Sequence, residues 1–316
     1  MEIQLQVFET VFSFIMVVML GLTLKRFSVI KTDDVKMLSN LLTKAVLPAV
    51  IFLQLSGNPI KSSQVLMVIS VFIAGLLSML LAWIAGKVMR LTNEKTGALM
   101  LTSSFGASAL IGYPFISFSF PDNAEAMADA VFLSELGVGL PLFLLGPAVA
   151  MYFGSKPKNS DTTRNFSFSY FSSPIFISVV LGITVSFIPF NRGNSFIAPF
   201  FDALKMINGT LATLACLILA LQLKKVNLKG LIPMLIVSAF IQMWFQPFVA
   251  KTEASLFHLS ALQTQVLVMI SAMPSAVLGP VFASHYDCAP ETATALVMAH
   301  ILLSIAMIPA VVYFMG

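Results

Sequence analysis

Ser104–Pro114 reads SFGASALIGYP and Ser271–Pro280 reads SAMPSAVLGP, and both stretches lie inside long, continuously apolar runs. Aligning Ser104–Gly112 with Ser271–Gly279 gives four identities in nine positions, with Leu110/Val277 and Ile111/Leu278 conservative. Gly106, Gly112 and Pro114 crowd the first stretch; Pro274, Gly279 and Pro280 crowd the second. A proline inside a helix removes an amide donor and clashes with the preceding turn, and glycine adds backbone freedom. In hydrocarbon, freed backbone groups are costly, so an irregular stretch is tolerated only against protein or a water-filled cavity. One such span reads as a kink. Two at matching places point to a central site.

The rest of the chain supplies the membrane. Of 316 residues, 58% are hydrophobic and only 10% charged, with a mean hydropathy of +0.93, whereas about a quarter of the residues of a soluble chain are charged. The charges cluster, and between them run apolar stretches of about 18 to 25 residues, the length a helix needs to cross roughly 30 Å of hydrocarbon. The sequence therefore predicts an all-α integral membrane protein with ten spans. They run Val7–Leu24, Val35–Leu55, Val65–Val88, Thr96–Phe120, Ala128–Phe153, Pro174–Phe190, Phe201–Leu223, Leu231–Val249, Leu262–Phe282 and Ala293–Met315. Span 1 has no small-residue cleavage site and reads as an uncleaved anchor. Little chain remains for a soluble catalytic domain.

Lysine and arginine set the orientation. Alternate loops carry Lys25, Arg26, Lys31, Lys36, Lys87, Arg90, Lys95, Lys156, Lys158, Arg164, Lys224, Lys225 and Lys229; the opposite loops carry Lys61, Arg192 and Lys251. The basic side is expected to be cytoplasmic and both termini outside. The net charge of +4 is then a topology signal, not a nucleic-acid one. The connection between spans 9 and 10 departs from the pattern, with His285, Asp287 and Glu291 but no lysine or arginine.

The polar stretch KPKNSDTTRN (Lys156–Asn165) divides the spans five and five. This gives an N-terminal repeat over 1–155, a linker over 156–172 and a C-terminal repeat over 173–316. Spans 1 and 3 begin about 167 residues before spans 6 and 8, and an odd number of spans per repeat requires the second to be inverted. Ser104, Ser108 and Gly112 recur every fourth residue, as do Ser271, Ser275 and Gly279, which would put each set on one helix face. Small residues allow close helix crossing. The free amides of an interrupted helix also carry partial positive charge suited to a carboxylate.

Ionisable residues inside spans are expensive and commonly functional. Glu135 in span 5 either exchanges a proton during transport or is a structurally paired acid. His300 in span 10 is either a proton relay or a neutral, hydrogen-bonded histidine between helices. Lys44 reads as snorkelling from the basic side, Asp202 and Lys205 as marking the outer end of span 7, and Gln242 and Gln246 as interfacial packing beside Trp244. No metal-ligand spacing, nucleotide loop or nucleophile–base motif is present, so no enzyme activity and no cofactor are expected.

Several motifs carry a resemblance: GLTLKRF (Gly21–Phe27), LPAVIF (Leu47–Phe52), GYP (Gly112–Pro114), MPSAVLGPVFASHY (Met273–Tyr286) and IPAVVYF (Ile308–Phe314). Over its whole length the chain resembles the auxin efflux carrier family, the plant PIN-FORMED exporters and bacterial relatives that carry organic acids such as malate or malonate. The resemblance implies ten helices in two inverted five-helix repeats, broken helices 4 and 9 crossing at their prolines, a homodimer, and elevator-type carriage of small organic anions. From the residues themselves, the candidate substrate contacts are Ser104, Ser108, Gly112, Tyr113, Pro114, Ser271, Pro274, Ser275, Gly279 and Pro280, and Glu135 and His300 are candidates for proton coupling. The resemblance also implies a multi-pass protein of a bacterial inner membrane, whose partners are the anion and the bilayer. The family commonly has asparagine where this chain has Ala107, and the plant exporters' long cytoplasmic loop is absent. A sodium-coupled symporter of the bile-acid type shares this architecture but calls for clustered Asn, Gln and Glu oxygens at the crossing. A membrane-bound ligand sensor is the third reading.

Overall fold

The computed structural model describes residues 2–57, 60–155, 170–188, 197–223 and 228–315. Most of the proposed linker, including Lys156, Lys158 and Arg164, lies outside the described residues, as do Arg192, Lys224, Lys225 and the C-terminal Gly316. The described chain is helical. In order it forms α1 (Glu2–Arg26), α2 (Thr32–Gly57), α3 (Ser62–Val88), α4 (Asn93–Ser104), α5 (Ser108–Ser119), α6 (Ala124–Phe153) and α7 (Pro174–Ser186). It continues with α8 (Ala198–Gln222), α9 (Ile232–Leu256), α10 (Ala261–Ser271), α11 (Leu278–Tyr286) and α12 (Pro290–Met315). Six of these, α2, α3, α6, α8, α9 and α12, are long and apolar enough to cross a membrane. The helix starts are written locally. Asn123 caps α6 by accepting the Ala126 amide at 3.0 Å, Ser173 caps α7 by accepting that of Phe176 at 3.1 Å, and Ser260 and Gln263 form a reciprocal capping box on α10.

Of the prolines that suggest breaks, Pro274 lies within an interruption, but Pro114 and Pro280 do not break their helices. Four helices instead widen by one residue per turn just before a proline. These π stretches are Leu42–Val46 before Pro48, Ser108–Gly112 before Pro114, Leu133–Gly139 before Pro141 and Ile241–Phe245 before Pro247. A wide turn moves a carbonyl away from the proline ring and absorbs the missing donor while the helix runs on. Pro280 lies in the first turn of α11, where amides have no intrahelical acceptor and a proline forfeits nothing. The true interruptions fall at Phe105–Ala107 and Ala272–Val277. The expected crossing at the prolines is thus corrected for span 4: the break precedes Pro114. The shared helix faces are corrected too, because each break separates the first serine of its set from the second.

Side-chain contacts show which loops share an end. Lys25 Nζ donates to the Leu221 and Leu223 carbonyls at 3.0 and 3.3 Å, closing the C-terminus of α8. Ser155 Oγ donates to Asp287 Oδ2 at 2.8 Å, and Cys288 Sγ lies 3.4 Å from the Glu94 carbonyl. The connection between α11 and α12, with no basic residue of its own, therefore sits with the basic loops. At the opposite end Lys61 pairs with Glu125 at 2.6 Å, Gln64 donates to Asp129 at 2.7 Å, and Gln263 donates to Ser63 at 2.8 Å.

Candidate functional site

The two interruptions meet each other. Gly106 and Ser275 face one another in antiparallel register. The Ala107 amide donates to the Pro274 carbonyl at 2.6 Å, and the Ala276 amide to the Phe105 carbonyl at 2.7 Å. Backbone groups freed by unwinding one helix are thus satisfied by the other, which is how irregular chain persists away from water. This register is two residues out of step with the sequence alignment, which places Ser275 on Ser108.

The two serines accordingly do different work. Ser275 is fully buried; its hydroxyl donates to the Thr102 carbonyl and lies 2.6 Å from His300 Nδ1. His300 Nε2 lies 2.8 Å from Ser238 Oγ. Each ring nitrogen thus meets a hydroxyl; Ser238 Oγ also lies 3.1 Å from the Leu235 carbonyl, so the donor and acceptor roles follow the ring tautomer. These bonds tie His300 on α12 to α9 and to the break, and through Ser275 to α4. Ser108 instead accepts a bond from Ser134 Oγ at 2.8 Å and borders open space.

That space is a cavity of about 450 Å³. Its wall includes Ser108, Ala109 and Leu110 at the start of α5 and Ala276, Val277 and Leu278 at the start of α11, so two helix N-termini meet on it. Glu135, Ser134, Tyr170, Gln222, Lys44, Ser39, Thr43 and Ser173 complete the polar lining; Leu42, Leu47, Leu142, Phe143 and Ile218 supply much of the apolar remainder. Three of the four wide turns border this cavity. Gln222 and Val277 also line a wider vestibule of about 1180 Å³, with Lys36, Lys229, Pro280 and Glu291, on the basic end. Those two side chains are common to the cavity and the vestibule.

Glu135 is buried and held from two sides. Its Oε1 accepts the Tyr113 hydroxyl at 2.6 Å, while Tyr170 Oη lies 3.3 Å from Oε2 and 3.0 Å from the Glu135 carbonyl oxygen. Tyr170 is fixed by stacking on Phe143, with ring centroids 4.7 Å apart.

Among the residues expected at the site, Ser108 and Glu135 line the cavity and Pro280 lines the vestibule. Ser104 bonds back to the Met100 carbonyl at 2.7 Å, and Ser271 is buried with no partner among the described residues. Gly112, Tyr113, Pro114, Pro274 and Gly279 are buried behind the wall. Gln242 and Gln246 are not interfacial: both are buried, and Gln242 donates to the Met273 carbonyl at 3.1 Å inside the crossing. Sequence reasoning missed Tyr170, which precedes α7 outside any span, and Gln222, at the end of one. A glutamine pair four residues apart in a membrane span was the available signal for α9.

Interrupted helices paired inside a bundle of apolar helices, with a cavity opening through a vestibule, are the build of a membrane transporter. The chain matches the family described as membrane transport protein over residues 6–145 and 161–313 and belongs to it, the auxin efflux carrier family. It is 29% identical over 286 residues to an uncharacterized transporter of Methanocaldococcus jannaschii, covering 88% of this chain and 89% of the relative. It is 24% identical over 303 residues to an uncharacterized transporter of Methanothermobacter thermautotrophicus, covering 95% and 96%. The protein is a multi-pass membrane transporter.

Proposed function

We propose that this transporter carries small organic anions, with the carboxylate held in the central cavity by the first turns of α5 and α11. The observation that carries this reading is the convergence of those two N-termini on one cavity. The amides of Ser108–Leu110 at the start of α5 and of Val277 and Leu278 at the start of α11 have no helical acceptor, whereas Gly279 donates to the Ala276 carbonyl at 3.1 Å and Pro280 has no amide; each terminus carries about half a positive charge. A carboxylate suits them without a buried lysine. The apolar remainder of the wall suits a hydrocarbon or aromatic body. On this reading the vestibule on the basic end faces the cytoplasm, the two five-helix halves are inverted about the crossing, and access alternates by an elevator-type shift. Uptake of a panel of mono- and dicarboxylates into proteoliposomes tests the anion reading. Saturable uptake of at least one acid, lost in Ser108→Leu, is the expected result; neutral or cationic solutes carried in preference would overturn it. A reporter active outside when fused after Gly316 and inside when placed at Asn159 is expected for the inverted halves.

A sodium-coupled variant of this reading has one specific observation behind it. Gln242 Oε1 and Gln246 Oε1 are buried without hydrogen-bond partners among the described residues, and Gln246 borders a small cavity of about 10 Å³ with Gly75, Ser104 and Phe105. Replacing sodium by choline in the uptake buffer would abolish transport if that site holds the coupling ion.

A further inference from the structure

We infer that Glu135 is a proton-exchange site filled when the carboxylate substrate binds, and that Tyr170 is the hydroxyl that makes room for the proton. The inference rests on the anion reading above. Two hydrogen arrangements fit one set of heavy-atom positions. With Glu135 ionised, Tyr113 donates to Oε1 at 2.6 Å and Tyr170 donates to Oε2 at 3.3 Å. With a proton on Oε2, the carboxyl donates to Tyr170 Oη, and the tyrosine hydrogen turns to the Glu135 carbonyl oxygen 3.0 Å away. Neither form leaves a buried oxygen of the cluster unpaired, and no side chain has to move. The proton comes from water in the vestibule and returns to water; no other bond is made or broken.

The surroundings of Glu135 make the exchange depend on substrate. Tyr113 on α5 and Tyr170 before α7 are the titratable groups bonded to it, and Lys44 on α2 lines the same cavity. Asp129, earlier on α6, bonds to Gln64 instead. Of the other helices packed on this turn, α10 has no titratable side chain, and that of α3 is Lys87 at its far end. Ser134 meanwhile bonds to Ser108 at the mouth of α5, so Glu135 stands beside the place where a carboxylate would be held. Two negative charges in one poorly hydrated cavity disfavour each other, and the second is relieved by protonation. By linkage, anion binding draws a proton and the proton strengthens anion binding by the same factor. Carriage is then cotransport, one proton with each carboxylate.

The experiment uses purified full-length protein in weakly buffered detergent, with indole-3-acetate and malonate as probes and a pH dye as readout. Wild type is expected to take up one proton per indole-3-acetate bound at a pH where the probe is fully ionised. Its Kd should weaken by up to about tenfold per pH unit as Glu135 loses its proton. Glu135→Gln should bind with no proton uptake and a Kd independent of pH. Tyr170→Phe should move the turning point of the Kd–pH curve away from that of wild type; a superimposable curve removes Tyr170 from the exchange. Anion binding by wild type without proton uptake, or pH dependence kept in Glu135→Gln, overturns the inference and leaves the anion reading standing. A wild type that binds neither probe nor any acid of the uptake panel overturns both.

Discussion

Both interruptions border the cavity, but the first, Phe105–Ala107, spans three residues and leaves the following Ser108 on it, whereas the second, Ala272–Val277, spans six and has its serine, Ser275, anchored within protein. Related sequences stand at the two places, yet Ser108 faces space while Ser275 is tied to Thr102 and His300. A crossing of two identical breaks would need both strands held by the same bonds. Here one arm is clamped, and the clamp positions the other arm's open helix end. Similar sequence in two halves therefore does not assign similar roles.

The sharpest way to break this comparison is to place leucine at each serine. Ser275→Leu adds a bulky group at a fully buried position and strips His300 Nδ1 of its partner. Overpacking and an orphaned ring nitrogen each cost about 1–3 kcal/mol, so a steep fall in the thermal midpoint of detergent-solubilised protein is expected. Ser108→Leu should lose transport with a stability change of about 1 kcal/mol, since its side chain enters the cavity. Equal destabilisation by both would end the asymmetry.

His300 sharpens the same contrast. His300→Leu removes both of its hydrogen bonds and should lower stability by about 2–4 kcal/mol. Asparagine offers a hydrogen-bonding group near the Nδ1 position and should recover part of that loss, with glutamine between the two. If all three variants unfold at the same temperature, the clamp is not carried by the ring nitrogens.

Two glycines test how closely the arms pack. A Cβ on Gly106 would stand 3.3 Å from the Met273 carbonyl oxygen, part of the opposing backbone, and 3.4 Å from Gln242 Nε2. On Gly112 its one tight contact would be the end of the Ile270 side chain, at 2.9 Å, which can rotate away; Met273 Cγ at 3.5 Å and Ser108 Cβ at 3.8 Å are ordinary contacts. Gly106→Ala should cost about 1–2 kcal/mol and weaken transport. Gly112→Ala should be close to neutral, its contact offset by roughly 1 kcal/mol of helix propensity. Melting curves that rank them in the opposite order would mean the crossing is not tightly apposed at Gly106.

The smallest effect is expected far from the crossing, at the Lys61–Glu125 pair, whose side chains are 53% and 46% exposed. Lys61→Ala should change stability by less than about 1 kcal/mol. The hydrogen bond to Glu125 holds the Lys61 pKa above its ordinary value, so this small contribution is present at neutral pH and is lost only as pH rises through the folded-state value. A difference from wild type that already changes near neutral pH would assign it to another group.

The sequence by itself determined the helical membrane class, the clustering of basic loops at one end and the neighbourhood of the two helix interruptions. Each of these sums over many residues: hydropathy over about twenty positions, charge over whole loops, and glycine, proline and serine content over ten. Such sums survive an error of a few residues. Only the tertiary structure decided where the helices break and which side chains meet the cavity. Pro114 looked like a break, but a wide turn at Ser108–Gly112 carries the helix through it. Phe105–Ala107 looked helical and unwinds because the Phe105 carbonyl and the Ala107 amide find their partners at Ala276 and Pro274. Tyr170 reaches Glu135 from beyond the fifth span, and Ser275 reaches His300 across the bundle. In each case the deciding bond joins residues distant in sequence, and no local pattern of residues encodes a partner that only folding brings within 3 Å or so.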